Sequence, residues 1–197
     1  MLPVKRFVVL TFMIVTCCSS AGGPVAVSSR GPHPSSNPSA PVVVVEYADL
    51  QCPYCRTAHA DIVKPLLEQY GTRIRFELRH FPLRSLHPQA LDASQATECA
   101  ADQGRFWEYV EIALTRQKEM SREALRVWAK EISLEASRFE ECLASGSKRA
   151  LVLSEYEEGR KRGVQGTPTF FVNGEKVESK LGAIRKAIEA AGSVDRK

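Results

Sequence analysis

Glu46-Tyr47-Ala48-Asp49-Leu50-Gln51-Cys52-Pro53-Tyr54-Cys55 is the stretch on which the reading of this chain turns. Immediately before it, Val42-Val43-Val44-Val45 is an unbroken β-branched run, the pattern of a strand covered on both faces in an α/β protein. After it the period becomes helical: Ile62, Leu66 and Leu67 share one face up to Tyr70, and Gly71 stops the run. The two cysteines therefore lie where a strand hands over to a helix. Pro53 suits the first helical position, because its missing N–H would have no intrahelical partner there. The free N–H groups and the macrodipole of a helix start favour an anion, here a thiolate. Such a setting can lower a cysteine pKa from about 8.5 into a range of roughly 3.5–7.5. Cys52 takes the nucleophilic role, and Cys55, one turn further in, is the resolving thiol.

A Cys-x-x-Cys also serves as half of a zinc site, which is the competing reading. That use needs a second ligand pair. The chain has no second Cys-x-x-Cys and no His-x-x-x-His, and His59 alone does not complete four ligands. The expectation is a redox site with no metal and no cofactor.

Working outward, residues 73–81 alternate apolar and polar as a strand should, so strand, Cys-x-x-Cys helix and strand form a parallel crossover unit. From about residue 88 to 162 the pattern is helical. Ala96, Cys99 and Ala100 share a face, as do Leu125, Trp128, Ala129 and Ile132, and Phe139, Cys142 and Leu143. Gln103-Gly104 ends one of these helices and Ser121 can cap another. A bridge between Cys99 and Cys142 would contribute about 3–4 kcal/mol on the chain-entropy estimate. Two free buried cysteines acting as small apolar groups remain the alternative, because sequence does not supply the geometry a bridge requires. Phe170-Phe171-Val172 and Lys176-Val177 then flank Asn173-Gly174, a type I′ hairpin signal, with Pro168 at the first residue of the hairpin. A last amphipathic helix runs from Leu181 to a stop at Gly192. The element order is βαβ, a helical block, then ββα, giving one domain over residues 42–192 and a tail over 193–197.

Ahead of the domain, Lys5 and Arg6 precede an apolar run from Phe7 to Val15 and a Ser19-Ser20-Ala21 cleavage signal, which reads as a signal peptide over residues 1–21. Ile14-Val15-Thr16-Cys17 resembles a bacterial lipoprotein box, with Thr16 where that family carries Gly, Ala or Ser; a lipid anchor through Cys17 stays open. Residues 22–41, rich in Pro, Gly and Ser, read as a disordered tether. Removal of Lys5 and Arg6 turns 27 basic against 23 acidic residues into 25 against 23, an excess too small to imply nucleic-acid binding. The cluster Arg73, Arg75, Arg79, His80 and Arg84 reads as a solvated strand face, since no aromatic ladder accompanies it.

Taken together, Cys52-Pro53-Tyr54-Cys55 after a hydrophobic strand, Gln103-Gly104-Arg105-Phe106-Trp107-Glu108 in the insertion, and Gly166-Thr167-Pro168-Thr169-Phe170 before the hairpin resemble the DsbA-type thioredoxin-fold thiol-disulfide oxidoreductases of bacterial envelopes. The resemblance covers roughly residues 41–192 and implies an α/β thioredoxin fold with a helical insertion between its βαβ and ββα halves. It implies that Pro168 is a cis-proline beside the reactive pair and that Thr167 pairs through its backbone with an extended substrate segment. It makes Glu46 a buried acid beneath the cysteines, able to exchange a proton with Cys55. Tyr54 departs from the histidine that many strongly oxidising members carry, which implies a milder oxidant. The expected function is oxidation of exported proteins by a monomer in the periplasm or on the outer face of the cytoplasmic membrane. Its partners would be unfolded substrates with cysteines and a membrane redox partner. A reductase or isomerase using the same site, or a non-catalytic chaperone-like module, are the alternatives.

Overall fold

The computed structural model describes His33 and residues 36–194. The stretch expected to be a signal peptide, Cys17, most of the expected tether and residues 195–197 lie outside that range. The β-branched run becomes strand β1 (Val42–Ala48), which pairs in parallel with β2 (Ile74–His80) from Val42↔Ile74 to Ala48↔His80. On its other side β1 pairs antiparallel with β3 (Thr169–Val172), and β3 continues through a tight turn into β4 (Glu175–Val177). The sheet order is β2-β1-β3-β4. Asn173 and Gly174 have φ of 44° and 91°, the positive pair that a type I′ turn requires.

The β1–β2 crossover consists of α1 (Pro53–Ala58), a π-helical turn His59–Val63 and α2 (Lys64–Tyr70). The widened turn has a local cause. Pro65 offers no N–H, and its ring would crowd the carbonyl four residues back in a regular helix. Lys64 N–H donates instead to the carbonyl of His59, five residues earlier. Between β2 and β3 come α3 (Ala90–Ala101), α4 (Phe106–Thr115), α5 (Arg122–Glu131), α6 (Ala136–Ser145) and α7 (Arg149–Lys161). Ser121 caps α5 by accepting from the Ala124 N–H. A final helix, α8 (Leu181–Val194), closes the fold.

Packing divides into three apolar clusters. Val44, Phe76 and Phe170 meet Leu66 of α2 and Ile184 and Ile188 of α8 on one face of the sheet. Val45, Tyr47, Phe81, Val164 and Phe171 gather on the other. Here Gly159 lets α7 approach closely, because a Cβ there would lie 2.8 Å from Tyr47 Cε1 and 2.9 Å from Phe81 Cδ2. The third cluster is the core of the helical block, and it includes Leu50, Cys52 and Cys55 with Phe106, Tyr109 and Trp128. The insertion therefore covers the Cys-x-x-Cys with its own core.

Three expectations are corrected. Gly192 does not stop the last helix, which runs to Val194; the glycine sits against Val42 within the helix, where its intrinsic cost of about 1 kcal/mol is tolerated. The C-terminal end of the tether is not free. Ser36 Oγ donates to the Ile74 carbonyl, Asn37 Nδ2 donates to that of Thr72, and His33 stacks on Phe106 while bonding Glu98 at 3.0 Å. Nor are the basic residues of β2 a solvated face. His80 is fully buried and bonds Glu98 at 3.1 Å, while Arg75 pairs with Glu77 and Arg79 with Glu77 and Glu155. Glu77 of β2 itself neutralises part of this row, and Glu98 of α3 and Glu155 of α7, far away in sequence, supply the rest.

Candidate active site

Cys52 is the N-cap residue of α1, with extended φ −75° and ψ 122°, and Pro53 follows at the first helical position. The Cys52 carbonyl accepts from the N–H groups of Cys55 and Arg56, and the Cys52 N–H donates to the Asp49 carbonyl at 3.0 Å. Both cysteines are free thiols and both are buried, Cys52 to 3 % exposure and Cys55 to 1 %. Tyr54 between them is 74 % exposed. The reactive sulfurs are thus buried beside an exposed ring.

Thr167 and Pro168 complete the site. The Thr167–Pro168 peptide is cis. The Cys52 thiol reaches the Thr167 carbonyl at 3.6 Å, across 115 residues of sequence. Tyr54, Thr57, Ala58, Thr167, Pro168 and Leu181 line a groove of about 600 Å³ alongside. Edge and groove together present backbone groups and an apolar trough next to the sulfur.

The two thiols are driven apart in acidity. The Cys55 thiol donating to it brings Cys52 down to about 5, against the opposing effect of burial and aided by Thr167 and the backbone N–H groups of Cys55 and Tyr54. Burial pushes Cys55 well above the ordinary thiol range, and the bond to Cys52 and the charges of Glu46 and Cys52 push it further. Glu46 on β1 is 2 % exposed. Burial raises it to about 8, with repulsion from the Cys52 thiolate adding to the effect. One acidic thiol, one reluctant thiol and a carboxyl able to be neutral near pH 7 are a set suited to thiol–disulfide exchange.

The structure thus gathers Cys52, Pro53, Tyr54, Cys55, Thr167 and Pro168, with Glu46 beneath them. Cys99 and Cys142 stand apart as a disulfide with S–S 2.03 Å that ties α3 to α6. No cluster of three metal-ligating side chains occurs among the described residues.

Sequence reasoning missed the residues that hold the turn between β1 and α1. Gln117 Nε2 donates to the carbonyls of Leu50 at 2.9 Å and Cys52 at 2.8 Å. The Asp49 carboxylate accepts from the N–H groups of Gln51 and Leu83 and from His87 Nδ1. Asp49 carries a local signal, a carboxylate three residues before Cys52 at the end of a mostly apolar strand. Gln117 carries none.

The family model Thioredoxin_4, described as thioredoxin, matches residues 30–190. Among curated proteins, Na(+)/H(+) antiporter NhaA 3 of Salinispora tropica is 39 % identical over 168 residues, 82 % of this chain and 25 % of that protein. NhaA 1 of Salinispora arenicola is 41 % identical over 147 residues, 75 % of this chain and 22 % of that protein. The chain spans about a quarter of the length of these curated relatives. Among solved structures, oxidised BdbD from Bacillus subtilis superposes with a TM-score of 0.73 at 23 % identity, covering 83 % of this chain and 94 % of that one. The thiol-disulfide exchange protein alpha-DsbA2 from Wolbachia pipientis gives 0.71 at 21 %, covering 81 % and 86 %. DsbA of Chlamydia trachomatis gives 0.73 at 15 %, over the whole of both chains. With the family model matched across the strands, the insertion and the Cys-x-x-Cys, this chain belongs to the thioredoxin family and has the fold of its DsbA-type members.

Proposed function

We propose that the chain is a thiol-disulfide oxidoreductase of the cell envelope that donates the Cys52–Cys55 disulfide to exported proteins. The observation that carries this reading is the split between an acidic Cys52 and a suppressed Cys55 at one helix start. A stabilised Cys52 thiolate stabilises the dithiol form, which makes the corresponding disulfide the better oxidant.

In the proposed cycle a substrate thiolate attacks Cys52 Sγ, the Cys52–Cys55 bond breaks, and its electron pair stays on Cys55. The Glu46 carboxyl supplies the proton that Cys55 takes up, and recovers one later. A second substrate thiolate then attacks the substrate sulfur of the mixed disulfide and displaces Cys52 as a thiolate. The substrate leaves oxidised and the enzyme is left as a dithiol. Thr167 offers its backbone to an extended, unfolded client, a mode of recognition that asks for no particular sequence. Metal and cofactor have no part in the scheme. A membrane redox partner would restore the disulfide, and the domain would act as a monomer.

An envelope location is supported by the charged, apolar and small-residue order of the first 21 residues, and by a structural disulfide of the kind that persists in oxidising compartments. No helix among the described residues is long and apolar enough to cross a membrane. The antiporter names carry no transport activity to a chain that spans a quarter of those proteins.

Equilibration of the Cys52/Cys55 pair with a glutathione buffer, in a Cys99→Ser/Cys142→Ser background, tests the reading. A potential on the oxidising side of the range, nearer about −120 mV than about −270 mV, supports donation; a value near about −270 mV would make the site a reductase instead.

A further inference from the structure

Asp49 is a buried carboxylate, 0 % exposed, in the turn that carries the reactive pair. Three donors meet it: Gln51 N–H at 2.7 Å, Leu83 N–H at 2.8 Å and His87 Nδ1 at 2.8 Å. Burying a carboxylate is costly unless its lone pairs are filled, so these bonds hold Asp49 in one orientation. His87 is the only side chain among the three donors. The backbone N–H of the same Asp49 points at Cys55 Sγ, 3.4 Å away. The peptide plane that carries this N–H is held at its Ala48 end by the Phe81 N–H, which donates to the Ala48 carbonyl at 2.8 Å, and the fixed carboxylate holds it at its Asp49 end.

Resting on the exchange reaction proposed above, we propose that Asp49 and His87 form a positioning pair that holds the Asp49 N–H as a ready donor to Cys55 when that sulfur departs as a thiolate. The step balances simply. A substrate thiolate forms a bond to Cys52 Sγ, the Cys52–Cys55 bond breaks, and its electron pair becomes the negative charge on Cys55 until a proton arrives from Glu46. A donor already aimed at the place where charge develops, in a site closed to water, lowers the barrier without reorganisation. In the resting dithiol Cys55 is a neutral thiol, and a neutral sulfur gains little from the same N–H. The pair therefore acts on rate and leaves the equilibrium nearly alone. His87 touches neither sulfur and works through Asp49.

The test uses the full chain and two substitutions. His87→Leu removes the donor, whereas His87→Asn places an amide nitrogen where Nδ1 stood. Single-turnover attack of glutathione on the oxidised protein is followed in both, alongside the Cys52 pKa from pH-dependent alkylation and the equilibrium constant with glutathione. His87→Leu is expected to slow attack about tenfold, the kinetic worth of one hydrogen bond to a charged group. By microscopic reversibility, resolution of the Cys52 mixed disulfide by Cys55 slows equally. His87→Asn restores both rates, and the Cys52 pKa and the equilibrium constant stay at wild-type values throughout. An unchanged rate in His87→Leu overturns the proposal. So does a slower rate accompanied by a shifted Cys52 pKa or equilibrium, which would mean that the turn had merely loosened. Should His87→Leu fail to fold, His87→Gln, whose amide lies away from the Nδ1 position, takes its place in the same comparison. Absence of exchange in the wild-type protein would overturn the oxidoreductase reading itself, and this proposal with it.

Discussion

Cys52 and Cys55 share an apolar cluster with Cys99, and Cys142 packs against it, yet the two cysteine pairs have opposite chemistry. Cys99 and Cys142 lie towards the C-terminal ends of α3 and α6, where backbone N–H groups are spent inside the helices and the macrodipole opposes negative charge. They are joined, with a sequence separation of 43. Cys52 and Cys55 occupy the first turn of α1, where N–H groups are free and a carboxyl lies beneath. Apolar burial alone does not tell a reactive sulfur from an inert one. Its position along a helix does.

Exchange kinetics separate the two cysteine pairs by the widest margin. Cys52→Ala abolishes oxidation of a reduced client, whereas Cys99→Ser/Cys142→Ser leaves the initial rate nearly unchanged. A comparable loss in the double serine variant would erase the distinction between the pairs. In stability the order reverses. Cys99→Ser/Cys142→Ser is expected to cost about 3–4 kcal/mol in urea denaturation, as the loss of a crosslink that closes so long a loop should. Cys52→Ala should cost much less in the same experiment.

Glu46 sharpens the contrast through pH. Its carboxyl is raised from 4.5 to about 8 in the fold, so between those values the unfolded chain is ionised there while the folded chain holds a proton. Stability from this source is complete below pH 4.5 and is lost as pH rises towards 8. Glu46→Gln in the reduced protein should therefore gain about 4 kcal/mol at pH 8 and almost nothing at pH 4. Equal effects at the two pH values would place Glu46 in contact with water. The Cys52 effect runs the other way and is of similar size. Cys52 is lowered from 9.0 to about 5, so it stabilises the reduced fold above pH 9, and that contribution is lost as pH falls towards 5. The melting temperature of the reduced form minus that of the oxidised form should shrink by about 10 °C over this window. A constant difference would mean that Cys52 is not acidified.

Much of this arrangement was legible along the chain because its causes are local. A β-branched run, a proline at a helix start, an Asn-Gly turn and a serine cap each act within a few residues, and β1, α1, the β3–β4 hairpin and the start of α5 follow from them. Glu46 was reached only through the resemblance, which implies a buried acid beneath the cysteine pair. The support of the site was not legible. Gln117 meets the Leu50 carbonyl across 67 residues and His87 meets Asp49 across 38, and no spacing rule connects such partners. The same holds for His80, whose burial depends on Glu98 arriving from α3. Gly192 misleads for a different reason: a glycine's local preference to end a helix is weaker than the packing of α8 on β1.

The π-helical turn His59–Val63 has a consequence for chain length. Residues five apart lie about 140° apart around a regular α-helix, which would send their side chains to different sides. The wider turn brings His59 and Lys64 round to one side, and both reach Glu111 on α4 at 2.7 Å. The crossover helix thus carries one residue more than a plain ladder would use, and spends it on a contact with the insertion. A chain shortened by one residue in this turn, and relieved of Pro65, would keep the packing of α1 and α2 on the sheet but lose the shared grip on α4. Change in length at this point is thus a change in how tightly the insertion is held to the reactive helix.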